Sequence, residues 1–228
     1  MKSLQIYQQR MRESTLKVCF VLDCTASMEQ WIEAAKQRIN VILEELQHEH
    51  PNFKIYAAFI GYRDFGETYH YMKFTNDFED IRYLLLDIDA KGGEDEAEDV
   101  SGAYRWVNSL NWSADVRSVF HITDSPDHGL LYHDHNVSDD YPEGHPTVDL
   151  LNEIQKLATS DINLTLFRIN QSTDIMYNLM RSEYVLIRMD GFRIVEFMNS
   201  TQTVTDAFYD EISSQLHYSM CTYDTTRA

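Results

Sequence analysis

Val18-Cys19-Phe20-Val21-Leu22-Asp23-Cys24-Thr25-Ala26-Ser27-Met28 decides how this chain is read. An apolar run ends abruptly in an aspartate, and two hydroxyl residues follow at alternate positions. A run this short, bounded by polar residues, reads as a buried strand. In an extended turn Asp23, Thr25 and Ser27 carry their side-chain oxygens on one side. Hard oxygen donors suit a hard divalent cation such as Mg²⁺, with Mn²⁺ as a substitute. The same hydroxyls also fit a plainer role, capping the helix that follows. The two roles are compatible.

That helix is legible from a continuous stripe at Met28, Trp31, Ile32, Ala35, Ile39, Ile42, Leu43 and Leu46. Its stripe makes Met28 and Trp31 core residues. Residues 53–60 read as a second buried strand, and 69–74 as a short edge strand. Ile81, Leu84, Leu85 and Ile88 predict a helix with Asp77 as N-cap. Val100, Ala103, Tyr104, Val107 and Leu110 predict another. Residues 116–124 form a third core strand, again ending in an aspartate. Residues 126–146 lack periodicity and carry Gly, Pro, Asp and His, as long functional loops do. A helix at Val148–Leu157, a strand over 162–169, a short helix at 175–180 and a C-terminal helix over 204–216 complete the pattern. Residues 184–187 and 192–197 read as a strand and a turn element, or as a hairpin about Asp190-Gly191.

Strands alternating with helices imply an α/β fold, a Rossmann-like doubly wound and mostly parallel sheet with helices on both faces. Ligand sites of such sheets lie at the carboxyl edge of the strands. Asp23, Asp64 and Asp124 fall along that edge.

The chain has 228 residues, enough for one domain with a substantial core. Its net charge of −18 argues against nucleic-acid or anionic-membrane partners. Cys19, Cys24 and Cys221 are too scattered for a disulfide framework or a CxxC metal site, which favours a reducing, cytoplasmic setting. Residues 1–17 have no apolar stretch of signal-peptide length, and no segment is long and apolar enough to span a bilayer. Nothing in the sequence signals an oligomeric state.

Asp23-Cys24-Thr25-Ala26-Ser27 resembles the DxSxS-type signature of the von Willebrand factor A domain. In that family it opens a metal-ion-dependent adhesion site. Ile122-Thr123-Asp124-Ser125 is similar to the family's third element, with its glycine changed. Gly92-Gly93-Glu94-Asp95-Glu96 stands where the family has a glycine-rich loop with a threonine, which is absent here. A narrower similarity joins residues 23–36, Gly61-Tyr62-Arg63-Asp64, residues 92–100, 121–129 and 140–146 to the A domain attached to eukaryotic alpha-kinases. The resemblance implies a single A-like domain over 16–222 after an N-terminal extension over 1–15, and carries no kinase activity. It implies that Thr25 and Ser27 bind Mg²⁺ through their hydroxyls, that Asp23 binds through water or orients the others, and that Asp124 completes the site. Asp95 is the expected second-loop ligand and Glu96 the reserve.

Other residues have plainer readings. His128, His133, His135 and His145 share one loop, but their spacing fits no closed zinc pattern. They read as a polar loop flanking the metal face. His121 reads as a satisfied buried histidine. Arg63 and Asp64 read as an ion pair fixing a loop, or Asp64 as an outer acceptor.

The expected function is non-enzymatic: a Mg²⁺-dependent protein-binding module whose open metal position takes a partner's acidic side chain, or water. Two alternatives stand beside it. One is a metal-dependent phosphohydrolase, whose sheet also places an aspartate after its first strand; Thr25 stands where a second aspartate is common. The other is a regulatory or targeting domain of an alpha-kinase-type assembly. No P-loop, dinucleotide fingerprint or nucleophile elbow is present.

Overall fold

The computed structural model describes residues 13–197 and 203–227, the last four by their backbone alone. The elements are β1 (Ser14–Asp23), a 3₁₀ turn (Ala26–Met28), α1 (Glu29–Glu49), β2 (Phe53–Tyr62), β3 (His70–Thr75), α2 (Phe78–Leu86) and α3 (Val100–Ser109). After these come β4 (Val116–Thr123), α4 (Leu150–Thr159), β5 (Asn163–Arg168), α5 (Asp174–Ile187), β6 (Phe192–Glu196) and α6 (Val204–Arg227). They build a six-stranded sheet of order β3-β2-β1-β4-β5-β6. All pairings are parallel except β2–β3.

The chain winds outward from β1 to β2 and β3, then returns to β4 on the other side of β1. The strand order therefore reverses between β1 and β4. A crevice opens at such a switch point, outside the carboxyl ends of the two strands. The sheet is doubly wound, as the sequence implies.

Both faces of β1 are covered. Leu16, Val18, Phe20 and Leu22 join a core with α1 and α6, while Cys19 and Val21 join a second core with α3, α4 and α5. This is why β1 reads as a continuous apolar run. Phe20, Phe120 and Phe167 pack in sequence across β1, β4 and β5, with centroids 5.9 Å apart at each step. Burial of each such ring contributes about 1.5–3 kcal/mol. Trp31 packs on Phe197 at 4.7 Å, inside the core.

Several expectations are corrected. Residues 184–187 are not a strand; they are the last turn of α5, which runs 14 residues. Tyr184 donates its hydroxyl to the Ile162 carbonyl at 2.7 Å, so the helix is held by its buried face. No hairpin forms about Asp190-Gly191, because β6 pairs in parallel with β5. β1 begins at Ser14, which pairs with Phe53. The rest of the expected N-terminal extension, up to residue 12, lies outside the described residues. At the other end α6 continues past 222 to Arg227.

Candidate metal centre

Asp23 ends β1 fully buried, and three donors occupy its carboxylate. Oδ1 accepts from the Thr25 amide at 2.9 Å and the Thr25 hydroxyl at 2.7 Å. Oδ2 accepts from the Thr123 hydroxyl at 2.8 Å. Asp23 therefore orients the Thr25 oxygen instead of reaching the cleft itself. Thr25 Oγ1 lies 3.3 Å from Ser27 Oγ, and Ser27 donates to Asp124 Oδ1 at 3.0 Å. Neither the 3₁₀ turn nor α1 receives a side-chain cap hydrogen bond. The hydroxyls that could have capped the helix are turned to the two aspartates.

The loop after β5 fixes Asp124 from behind. Asn170 Nδ2 and Ser172 Oγ donate to its carbonyl at 2.8 and 2.5 Å. Thr25, Ser27, Asp124, Gly93, Asp95, Glu96 and Glu98 line one cleft of about 240 Å³ at the switch point.

The second loop enters through Gly92 and Gly93, whose φ values of 84° and 76° suit glycine. A Cβ on Gly93 would stand 2.8 Å from Glu98 Oε1 and 3.4 Å from the Thr25 Cβ. Glu98 is 2 % exposed. Its Oε2 is buried and has no hydrogen-bond partner among the described residues. A buried carboxylate oxygen without a donor is costly, and a bound cation is one way to satisfy it. The donor set of two hydroxyls and two carboxylates fits a hard divalent ion.

Glu98 was missed by sequence reasoning. It lies in an acidic run, residues 94–99, that reads as a solvated helix start. The signal that it turns inward is its company: Ala97 and Val100 are fully buried, and Asp99 caps α3 by accepting from the Gly102 amide. Asp95 and Glu96 line the same cleft but are tied to the histidine loop. Glu96 is exposed and accepts from the Ser138 amide at 3.0 Å. Asp95 accepts from the Asp140 amide through Oδ2, while its Oδ1 is buried and has no partner among the described residues. Asp95 gathers with Asp64 and His128.

Arg63 and Asp64 do not pair, contrary to one expectation. Arg63 is buried and donates to the carbonyls of Cys24 and Asp89 at 2.9 and 2.8 Å, tying two loops to the end of β2. Asp64 Oδ1 instead meets His128 Nε2 at 2.8 Å. His128 Nδ1 meets Asp139 Oδ1, also at 2.8 Å. Asp139 accepts further from the Gly129 and Tyr141 amides and faces His133 Nε2. The histidine loop is largely exposed, but His128 and His133 are buried within it, His145 is half-buried and His135 is exposed. Hydrogen bonds inside the loop supply what its lack of periodicity hides.

The electrostatics follow from burying acids together. Burial, then repulsion by Asp124, push Asp23 up to about 6 against the pull of Thr25 and Thr123. Burial and the charges of Asp23, Asp64, Asp95 and Glu67 push Glu98 to about 10. Burial raises Asp124 as well. Burial would also raise Asp139, but its four donors bring it down to about 2. His121 sits fully buried between the Tyr62 and Tyr104 hydroxyls, at 2.8 and 3.1 Å, and burial lowers it to about 3.

A doubly wound sheet carrying an Asp-x-Thr-x-Ser turn and a second aspartate at its switch point defines the class, and the chain belongs to the von Willebrand factor A domain family, whose model matches residues 17–138. Among curated proteins it is 36 % identical over 149 residues to the alpha-protein kinase vwkA of Dictyostelium discoideum. That match covers 60 % of this chain and 23 % of the kinase. Among solved structures, the pilus adhesin SpaC of Lactobacillus rhamnosus GG superposes with a TM-score of 0.62 at 15 % identity, over 92 % of this chain and 30 % of the adhesin. The conserved hypothetical protein BatB of Bacteroides thetaiotaomicron gives 0.54 at 14 % identity, over 89 % of this chain and 99 % of that one. At such identities these two structures speak for the fold alone.

Proposed function

We propose that the chain is a Mg²⁺-dependent protein-interaction module that captures an acidic side chain of its partner. The observation that carries the reading is Glu98: a buried carboxylate with an unpaired oxygen, in the cleft lined by Thr25, Ser27 and Asp124. In this reading Thr25, Ser27, Asp124 and Glu98 hold the ion, while Asp23 orients the Thr25 hydroxyl. When bound, the ion supplies a point of positive charge for a partner carboxylate or a water molecule. Glu98 in place of a neutral ligand has two effects. It strengthens cation binding, and it leaves less positive charge for the partner. The partner contact then depends more on the shape of the loops around the cleft than on charge alone.

A non-enzymatic role is supported by Asp23 itself. Its two oxygens are engaged by three donors and it has no exposed surface, which is poor preparation for a nucleophile. We also propose an intracellular setting, which suits three free cysteines. A role in recruiting or regulating a kinase is the second reading, favoured by the identity to the vwkA kinase.

The test is a calorimetric titration of the dialysed protein with Mg²⁺ and Mn²⁺, followed by partner capture with and without EDTA. One site and EDTA-sensitive capture support the proposal. Turnover of phosphate esters that disappears in Asp23→Ala would overturn it.

A further inference from the structure

Next to the switch-point cleft, and reaching its lining through Asp95, lies a group of side chains outside the Thr25, Ser27, Asp124 and Glu98 set proposed for Mg²⁺. Asp64 follows β2, Asp95 lies in the glycine loop, and His128 lies in the loop after β4. Each offers one ligand atom, and these atoms all lie within 4.8 Å of one another. We propose that Asp64, Asp95 and His128 form a second cation site, of the zinc class and separate from the Mg²⁺ site.

Geometry makes the first argument. A triangle with edges of 4.8 Å has its centre about 2.8 Å from each corner, and zinc bonds to N and O run ~2.0–2.2 Å. Each ligand atom therefore needs to move by less than about 1 Å. Asp95 sits on a loop entered through two glycines, which leaves room for that adjustment.

The second argument is the support behind His128. Metal-binding histidines commonly hand their other ring nitrogen to a carboxylate, which fixes the tautomer and aims the ring. His128 Nδ1 is held by Asp139 at 2.8 Å, and the Asp139 side chain is 2 % exposed and further fixed by two backbone amides. This leaves Nε2 aimed at Asp64, 2.8 Å away. A bound ion takes the place of the proton between them.

The third argument is an unused atom. Asp95 Oδ1 is buried without a hydrogen-bond partner among the described residues, although Oδ2 of the same carboxylate is bonded to the Asp140 amide. Imidazole nitrogen with two carboxylates suits Zn²⁺ better than Mg²⁺, which prefers oxygen alone. The histidine loop does supply a zinc-type ligand, but it is a single histidine. The other ligands come from two loops distant in sequence, so no spacing in the chain reveals the set.

This proposal does not rest on the Mg²⁺ reading, and the test keeps them apart. The full chain, dialysed against chelator, is titrated with Zn²⁺ by calorimetry and with Co²⁺ by visible absorption, both in excess Mg²⁺. We expect one equivalent of Zn²⁺, and a Co²⁺ spectrum of the intense, low-coordinate kind. Asp95→Asn and His128→Gln should each weaken zinc at least ~10-fold, and Asp139→Asn by ~10–100-fold as a positioning residue. Asp23→Ala should leave zinc binding unchanged. Because His128 is buried, Asp95→Asn is the deciding variant if His128→Gln fails to fold. Zinc that Mg²⁺ displaces competitively, or that survives Asp95→Asn with undiminished affinity, would overturn the second site.

Discussion

Thr123 donates its hydroxyl to Asp23 across the β1–β4 seam, joining residues 100 positions apart at 2.8 Å. The same hydroxyl accepts the Ser125 amide at 3.0 Å. One side chain therefore sets both the charge of the first strand's aspartate and the turn that carries Asp124. Thr123→Val removes both bonds at nearly constant volume. It should raise Asp23 further and weaken Mg²⁺ binding by ~10-fold, as loss of an outer-shell partner commonly does. Thr123→Ser should restore binding. Calorimetric titration of the pair decides it, and equal affinity in both variants would count against the role.

Glu98→Gln separates metal binding from packing. Near pH 7 a group pushed to about 10 is protonated in the metal-free protein, and Gln is close to that form in shape and charge. The metal-free melting temperature should change little. The Mg²⁺-induced rise should collapse, and affinity should fall at least ~10-fold. Wild-type binding should also release a proton, since an ion needs the ionised acid. Titration in buffers of different ionisation enthalpy measures that release. If Glu98→Gln binds Mg²⁺ normally, the second-loop ligand lies elsewhere.

The pH dependence has opposing parts. Asp23 is raised from 3.8 to about 6, so its contribution to metal-free stability is full below 3.8 and lost as pH rises through 6. Protons compete with the ion over the same window. The Mg²⁺-induced shift in melting temperature should therefore grow from pH 5 to 7.5. His121 works the other way. Lowered from 6.5 to about 3, it contributes stability that is present above 6.5 and lost as pH falls through 3. Melting curves across this range, with and without Mg²⁺, give both trends. A metal-induced shift that is flat with pH would contradict the placement of Asp23.

Gly93→Ala should strain the loop twice. The φ of 76° is unfavourable for a side chain, and the new Cβ would crowd Glu98 Oε1. We expect a loss of about 1–2 kcal/mol in chemical denaturation, with weaker Mg²⁺ binding. His121→Phe serves as a control outside the residues that line the cleft. It strands the Tyr62 and Tyr104 hydroxyls at about 1–3 kcal/mol each, and should leave Mg²⁺ affinity intact.

The fold was legible because its signals are local. The apolar run into Asp23 and the stripe behind it place β1 and α1, and Asp77 caps α2 by accepting from the Glu79 amide as its position suggests. Residues 184–187 misread because a β-branched, aromatic tetrad resembles a strand when its partner, the Ile162 carbonyl, is far away in sequence. The centre was legible where the chain turns sharply, at Asp23, Thr25, Ser27 and Asp124. Glu98, Asp64 and His128 were obscured because charge and burial conflict in them. Only the meeting of three loops decides which acid of a run faces inward.

The acidic loop and the histidine loop share backbone bonds. Glu96 and Ala97 donate to the Ser138 carbonyl at 3.0 and 3.2 Å, and Glu98 to the Pro126 carbonyl at 2.9 Å. Two crossovers on either side of a helix are thus hemmed together along their length. The connection between the outer loop and the residue that carries the Glu98 carboxylate is made by main chain. If the cleft holds a cation and the outer loop meets a protein, as proposed, these backbone bonds are the seam that joins the two.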